Sequence, residues 1–352
     1  MQTPLTHKLQ IRYPILQAPM AGGPTTPELI ATVSNAGGLG NLGAGYLTPE
    51  QIGRAIREIK ERTAHPFGVN LFVPEPFTES ADEIRRMNNS LNAYRARLGI
   101  AEDPEITKYA ESFEEQIQAI LDGGVPICSF TFGIPEASVV EALKQRGTVV
   151  IGTATTVQEA IRLEAAGMDA IVAQGSEAGG HRGAFLNRQD EPLIGTMALV
   201  PQMIDQVSLP VIAAGGIMDG RGLAASLALG ASAVQMGTAF LACPESGAHP
   251  VYKQKVLTAN EEETSVTPVY SGKAARGIVT AFMKDMDQYA GEIPPYPIQN
   301  ALTRDIRQAA AKASNPEYMS LWAGQGVRLA TTRSAADIVR HTVDQAMSIL
   351  NR

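Results

Sequence analysis

PVIAAGGIMDGRGLAASLALGASAVQMGT, residues 210–238, carries one complete structural unit and the start of the next. Pro210 to Ala214 is a short apolar run that ends in the pair Gly215 and Gly216. Asp219 to Leu229 has apolar residues at helical spacing, and Gly230 stands where such a helix would end. Ala231 to Met236 is apolar again and runs into Gly237 and Thr238. The pattern is strand, loop, helix, strand, and its strands are continuously apolar, as in parallel sheets covered on both faces. The uncharged stretch Gly222 to Cys243 has the length of a membrane span, but Ser226, Gly230, Gln235 and Thr238 divide it into a helix and a strand, so no span is expected.

The same unit recurs along the chain. Further strands are predicted at Pro14–Ala18, Leu39–Leu42, Phe67–Phe72, Val125–Phe130, Thr148–Ile151 and Ala170–Ala173, which makes eight in all. Helical patterns fall between them at Pro27–Asn35, Pro49–Arg62, Phe113–Leu121, Pro135–Gln145, Val157–Ala166 and Thr196–Gln206. Thr26 and Thr48 each precede a proline and are expected to be N-caps. Eight strand–helix units predict an α/β fold of the (β/α)8 barrel type rather than an open doubly wound sheet. Two stretches break the rhythm. Residues 74–110 are polar and poor in glycine, with a helical pattern over Thr78–Arg97, and are expected to be an insertion after the third strand. Residues 242–330 hold most tyrosines and the single tryptophan, Trp322. They are expected to form a cap between the last strand and a final helix, Ser334–Leu350. The predicted organisation is a barrel of residues 1–241 and 331–352 with a cap of residues 242–330.

The 352-residue chain has a net charge of −7 and 5% aromatic residues, so it offers neither the cations nor the stacking surfaces of a nucleic-acid binder. Hydrophobic residues at 44% provide for a large core. The N-terminal stretch Met1–Tyr13 has no secretory apolar region, and Cys128 and Cys243 match no metal or redox spacing, so a reducing, cytoplasmic setting is expected. No His, Cys or carboxylate cluster has the spacing of a metal site.

Of the 33 glycines, dense groups lie at residues 22–45, 175–183 and 215–237, whereas only Gly53, Gly68 and Gly99 occur between Tyr46 and Asp122. Barrel enzymes bind ligands on the loops after their strands, with phosphate commonly at strands seven and eight. Gly215, Gly216 and the run Gln235, Met236, Gly237, Thr238 stand at those two positions, where backbone N–H groups and a hydroxyl could face phosphate oxygens; plain tight turns are the alternative. The G-x-G-x-x-G match at Gly38–Gly43 follows a helix and contains a strand, which is the wrong context for a dinucleotide fingerprint. After the sixth strand, Gln174 to Gly183 places His181 among glycines, a candidate acid or base. His7, His65, His249 and His341 are expected to be structural or on the surface. Glu177 and Arg182 are expected at most to tie the loop.

These stretches, with Gln17–Gly23, Ser34–Gly40 and Gly68–Phe72, resemble the flavin-dependent nitronate monooxygenases, formerly called 2-nitropropane dioxygenases. The resemblance spans most of the barrel. It implies an FMN-binding TIM barrel with a smaller cap. Pro19 and Met20 would pass beneath the flavin, and Asn70, Gln174, Gly179 and Gly180 would contact it. Gly215, Gly216, Gln235, Met236, Gly237 and Thr238 would hold the FMN phosphate, and His181 would be the catalytic residue. The implied reaction is oxidation of an alkyl nitronate or nitroalkane, foremost propionate 3-nitronate, by dioxygen. Tyr270, Lys273, Arg276, Tyr289, Tyr296 and Tyr318 are the cap candidates for substrate contact. An FMN-dependent enoyl-ACP reductase or NAD(P)H:quinone reductase is the alternative within the superfamily, and a non-catalytic flavin-binding protein is the alternative outside it.

Overall fold

The computed structural model describes residues 1–186 and 192–351. Its strands in chain order are β1 (Ile15–Gln17), β2 (Gly40–Gly43), β3 (Phe67–Phe72), β4 (Ile127–Thr131), β5 (Val149–Ala154), β6 (Ala170–Gln174), β7 (Gly180–His181), β8 (Val211–Ala214), β9 (Ala233–Met236), β10 (Thr264–Thr267) and β11 (Ala275–Ile278). Eight of them form one parallel sheet in the order β1-β9-β8-β6-β5-β4-β3-β2. A parallel bridge between Leu16 and Leu39 closes it, with Leu39 N donating to Ile15 O at 2.9 Å and Gln17 N to Leu39 O at 2.9 Å. The fold is a (β/α)8 TIM barrel, with a strand at each of the eight expected places.

Alternation along the strands explains why these runs are apolar throughout. Leu16, Ile127, Ile151, Val172 and Ile212 point into the barrel, while Ile15, Cys128, Val150, Ile171 and Val211 join the helix-packed outer core. The inner cluster also contains Leu5, Leu9 and Ile11. Leu5 and Leu9 come from a short helix, Pro4–Leu9, capped by Thr3, which plugs the end of the barrel opposite the site. The expected caps form: Thr26 accepts from Leu29 N, and Thr48 forms a reciprocal capping box with Gln51. The stretch 222–243 is divided among the helix Gly220–Ala228, β9 and a short helix Thr238–Leu241. Among the described residues no helix is long and apolar enough to cross a membrane.

Glycines inside the rejected dinucleotide match serve packing. A Cβ on Gly40 would lie 2.2 Å from the Ile30 carbonyl oxygen, so β2 meets the helix Pro27–Asn35 backbone to backbone. The helix Ala335–Leu350 lies on the helix Gly220–Ala228, where a Cβ on Gly220 would be 2.5 Å from Ala346 N.

β10 and β11 are antiparallel, and β11 also pairs with β7, placing Ala275 opposite His181 and Arg276 opposite Gly180. The helix Ala81–Leu98 of the 74–110 stretch contributes Met87, Leu91 and Tyr94 to an apolar cluster with Tyr270, Phe282, Ile298 and Ile306. Its fully buried Arg95 donates to Asp305 Oδ2 at 2.8 Å and to Leu302 O at 2.9 Å. This helix therefore packs on residues of the 242–330 stretch.

Candidate active site

A cavity of about 800 Å³ opens at the C-terminal ends of the barrel strands. Residues from strand ends and following loops line one side: Pro19, Met20, Asn70, Gln174, Gly179, Gly180, His181, Gly215, Gly216, Gln235, Gly237 and Thr238. Residues from 242–330 close the other, including Tyr296, Asn300, Arg304, Arg307 and Trp322. The structure thus gathers thirteen of the anticipated site residues at one cavity, with Tyr296 among them.

The remaining candidates lie elsewhere. Met236 alternates with Gln235 along β9, so its side chain enters the outer core, and its carbonyl accepts from Ala18 N at 2.8 Å. Tyr270 is buried, with its hydroxyl between Thr280 Oγ1 and Met319 O, both at 2.7 Å. Tyr289 and Tyr318 pack on the apolar cluster around Phe282. Arg276 donates to Ser176 O at 3.0 Å and so ties β11 to the loop after β6. Lys273 pairs with Glu75 at 3.0 Å behind the cavity wall. His249, expected to be structural, caps the helix Pro250–Thr258 through Nδ1, which accepts from Val251 N at 3.3 Å, and it also lines the cavity.

The glycine turns shape one end of this cavity. Gly215 and Gly216 have φ of +116° and +70°, and a Cβ on Gly215 would meet Thr196 Oγ1 at 2.9 Å. Glu177 stabilises this corner, accepting from Thr196 N at 2.9 Å and from Thr196 Oγ1 at 2.9 Å. Thr238 Oγ1 accepts from Gly324 N at 2.9 Å, which leaves its own proton for another acceptor. Asn70 donates through Nδ2 to Ser129 Oγ at 3.0 Å and Thr131 Oγ1 at 3.2 Å, and its Oδ1 has no hydrogen-bond partner among the described residues. Gln174 is committed to the loop: Nε2 donates to His181 O at 3.0 Å, and Oε1 accepts from Gly183 N at 2.8 Å.

His181 stands among aromatic rings, with centroids of Trp322 at 5.4 Å, Phe132 at 5.6 Å and Tyr296 at 6.2 Å. Its Nε2 lies 2.8 Å from Ser271 Oγ, and that hydroxyl is also 3.1 Å from the Lys273 carbonyl. Burial, followed by the positive charges of Lys273 and Arg307, pushes the imidazole down to about 3. The ring is neutral at physiological pH, and protonating it here is costly.

Several lining residues escaped the sequence reading. Tyr46, in the loop after β2, also lines the cavity, with its buried hydroxyl set against that of Tyr296. Burial raises its ionisation range, and Arg307 acts in the opposite sense. Arg304 and Arg307 lie one turn apart on the helix Arg304–Lys312, and Arg307 Nη2 donates to Asn300 O at 2.7 Å and Asn300 Oδ1 at 2.9 Å. Both thiols are buried, and burial raises the ionisation range of each. Among the described residues no cluster of His, Cys, Asp or Glu could hold a metal ion.

A closed barrel with a capped cavity at its strand ends and a neutral histidine beside cations defines a barrel enzyme acting on an organic ligand. The family profile described as nitronate monooxygenase matches residues 2–345. A probable nitronate monooxygenase of Staphylococcus haemolyticus is 52% identical over 348 residues, covering 98% of this chain and 97% of its relative. Another, from Staphylococcus aureus strain MSSA476, is 50% identical and covers 98% of both chains. Among solved structures, nitroalkane oxidase from Streptomyces ansochromogenes matches with a TM-score of 0.91 at 38% identity over 99% of both chains. FabK from Thermotoga maritima matches with a TM-score of 0.80 at 32% identity over 100% of this chain and 98% of that one. The chain belongs to the nitronate monooxygenase family and is an oxidoreductase.

Proposed function

We propose that the protein is an FMN-dependent nitronate monooxygenase that converts alkyl nitronates and dioxygen to a carbonyl compound and nitrite or nitrate. The observation that carries this reading is His181: a neutral imidazole on the cavity wall, flanked by cations and with aromatic rings around it. Such surroundings favour an anionic substrate over one that must hand a proton to the ring. His181 then orients the nitronate by hydrogen bonding, while Tyr296 and Trp322 limit water around it.

The residues fit FMN. The Gly215–Gly216 turn, with φ of +116° and +70°, and Gly237 put backbone on the cavity wall where a phosphate could approach it, and Thr238 has a hydroxyl proton to give to a phosphate oxygen. Asn70, with its amide oxygen free, and Pro19 and Met20 of the cavity wall would hold the flavin ring system. When bound, the flavin supplies the electron transfer between substrate and dioxygen. Arg304 and Arg307, with the Tyr46 hydroxyl on the same cavity wall, support a second anionic group on the substrate, as in propionate 3-nitronate. We place the barrel at 1–241 and 331–352 and the cap at 242–330, and we assign the protein to the cytoplasm.

The test is aerobic turnover of propionate 3-nitronate by the purified yellow protein without NAD(P)H. Oxygen uptake with nitrite or nitrate release is expected. Absence of both overturns the reading. The likeness to FabK favours reductase chemistry as the second reading, and rapid anaerobic flavin reduction by NADH would select it.

A further inference from the structure

The turn Ser271–Gly272–Lys273 joins β10 to β11 at the position where β11 pairs with His181. Gly272 has φ +79°, and a Cβ there would stand 2.3 Å from the Pro294 carbonyl oxygen, so the turn is tightly seated. It brings two groups to the histidine. Ser271 reaches the ring nitrogen directly. Lys273 does not line the cavity; its Nζ stands 4.7 Å from the centroid of the Phe132 ring, and that ring packs against His181. The ammonium is fixed there by Glu75, from the loop after β3, at 3.0 Å, with side chains only 10% and 18% exposed.

Phe132 is itself held in an unfavourable backbone region, with φ +76°. Such a conformation costs a non-glycine residue about 1–3 kcal/mol and persists only where the surroundings impose it. The groups around His181 are Ser271 and Lys273 of the turn, Arg307 of the helix Arg304–Lys312, and the rings of Phe72, Phe132, Tyr296 and Trp322. Among the described residues, both charges acting on it are positive, and the carboxylate of Glu75 is engaged by Lys273.

We propose that Lys273, anchored by Glu75, is a positioning residue that sets the choice between an anionic nitronate and its neutral nitroalkane. A neutral substrate must pass its α-proton to His181, placing an imidazolium near two cations. The nitronate arrives without that proton and brings a negative charge the cations favour. Lys273 thus penalises one substrate and assists the other without touching either. The inference rests on the nitronate reading given above.

Paired measurements on ethyl nitronate and nitroethane test it, using the FMN-loaded enzyme and following oxygen uptake across pH. The double variant Lys273→Met with Glu75→Gln removes the cation without stranding a buried carboxylate. It is expected to lower the nitronate-to-nitroethane ratio of kcat/KM by about tenfold and to raise the apparent pKa of the nitroethane profile. Lys273→Arg, which keeps the charge, is expected to preserve the ratio. Equal losses on both substrates in the double variant, or the same fall in ratio in Lys273→Arg, overturn the proposal. Wild-type enzyme inactive on both substrates would instead overturn the nitronate reading itself.

Discussion

In water an imidazole takes up a proton near pH 6.5, whereas the His181 ring stays neutral until about pH 3. The cost falls on the fold. Between those values the unfolded chain binds a proton that the folded chain refuses, so the stabilisation present above pH 6.5 is lost as pH falls toward 3. Thermal unfolding followed from about pH 7 to about pH 4 should show a steeper fall in Tm for the wild type than for His181→Asn. Parallel curves would contradict the depressed pKa. Arg307 gives a second prediction at this scale. Arg307→Met should raise KM for propionate 3-nitronate about ten- to a hundredfold, the loss of one charged hydrogen bond, and raise KM for ethyl nitronate much less. Equal rises would remove the second-anion role. His181 was legible because a histidine among glycines after a barrel strand is conspicuous. Tyr46 and the two arginines were not, because a tyrosine in a loop and arginines on an amphipathic helix look like ordinary surface residues until the cavity is seen.

Strand ends are where the sequence pattern and the structure part. Apolar runs suggested ends at Phe130, Ile151 and Ala173, yet β4, β5 and β6 continue to Thr131, Ala154 and Gln174. Thr131, Thr153 and Gln174 line the cavity, so the strands stop looking apolar where their side chains begin to serve the site. Hydrophobicity marks the buried part of a barrel strand and misses the tip that faces the cavity. The glycine-rich β2 follows another rule, that of close backbone approach. Gly40→Val would force a side chain against the Ile30 carbonyl and should destabilise the protein by about 1–3 kcal/mol, measurable as a lower midpoint in urea unfolding. An unchanged midpoint would mean that the helix Pro27–Asn35 can move away freely.

The whole barrel was legible because its eight units repeat one physical solution, an apolar strand covered by a capped helix. Residues 242–330 have no such repetition, and their small sheet takes one strand from the loop after β6, a long-range pairing that local patterns do not reveal. The helix Ala81–Leu98 was predicted as an element, but its seat against 269–306 could not be. Arg95 holds that seat. Arg95→Met should lose about 1.5–3 kcal/mol through its charged hydrogen bonds, read as a lower Tm with flavin content retained. Loss of flavin without a change in Tm would point to a role at the site instead.

The shared strand β7 has a mechanical consequence. His181 belongs by sequence to a barrel loop but is stitched as the third strand onto β10 and β11, with Arg182 N donating to Ala274 O at 2.8 Å beside it. A cover hinged like a door would have to tear those bonds and drag the imidazole out of register each time it swung. The assembly is instead riveted at a residue of the cavity wall, so traffic must thread a standing aperture, and turnover should owe little to the opening of a lid.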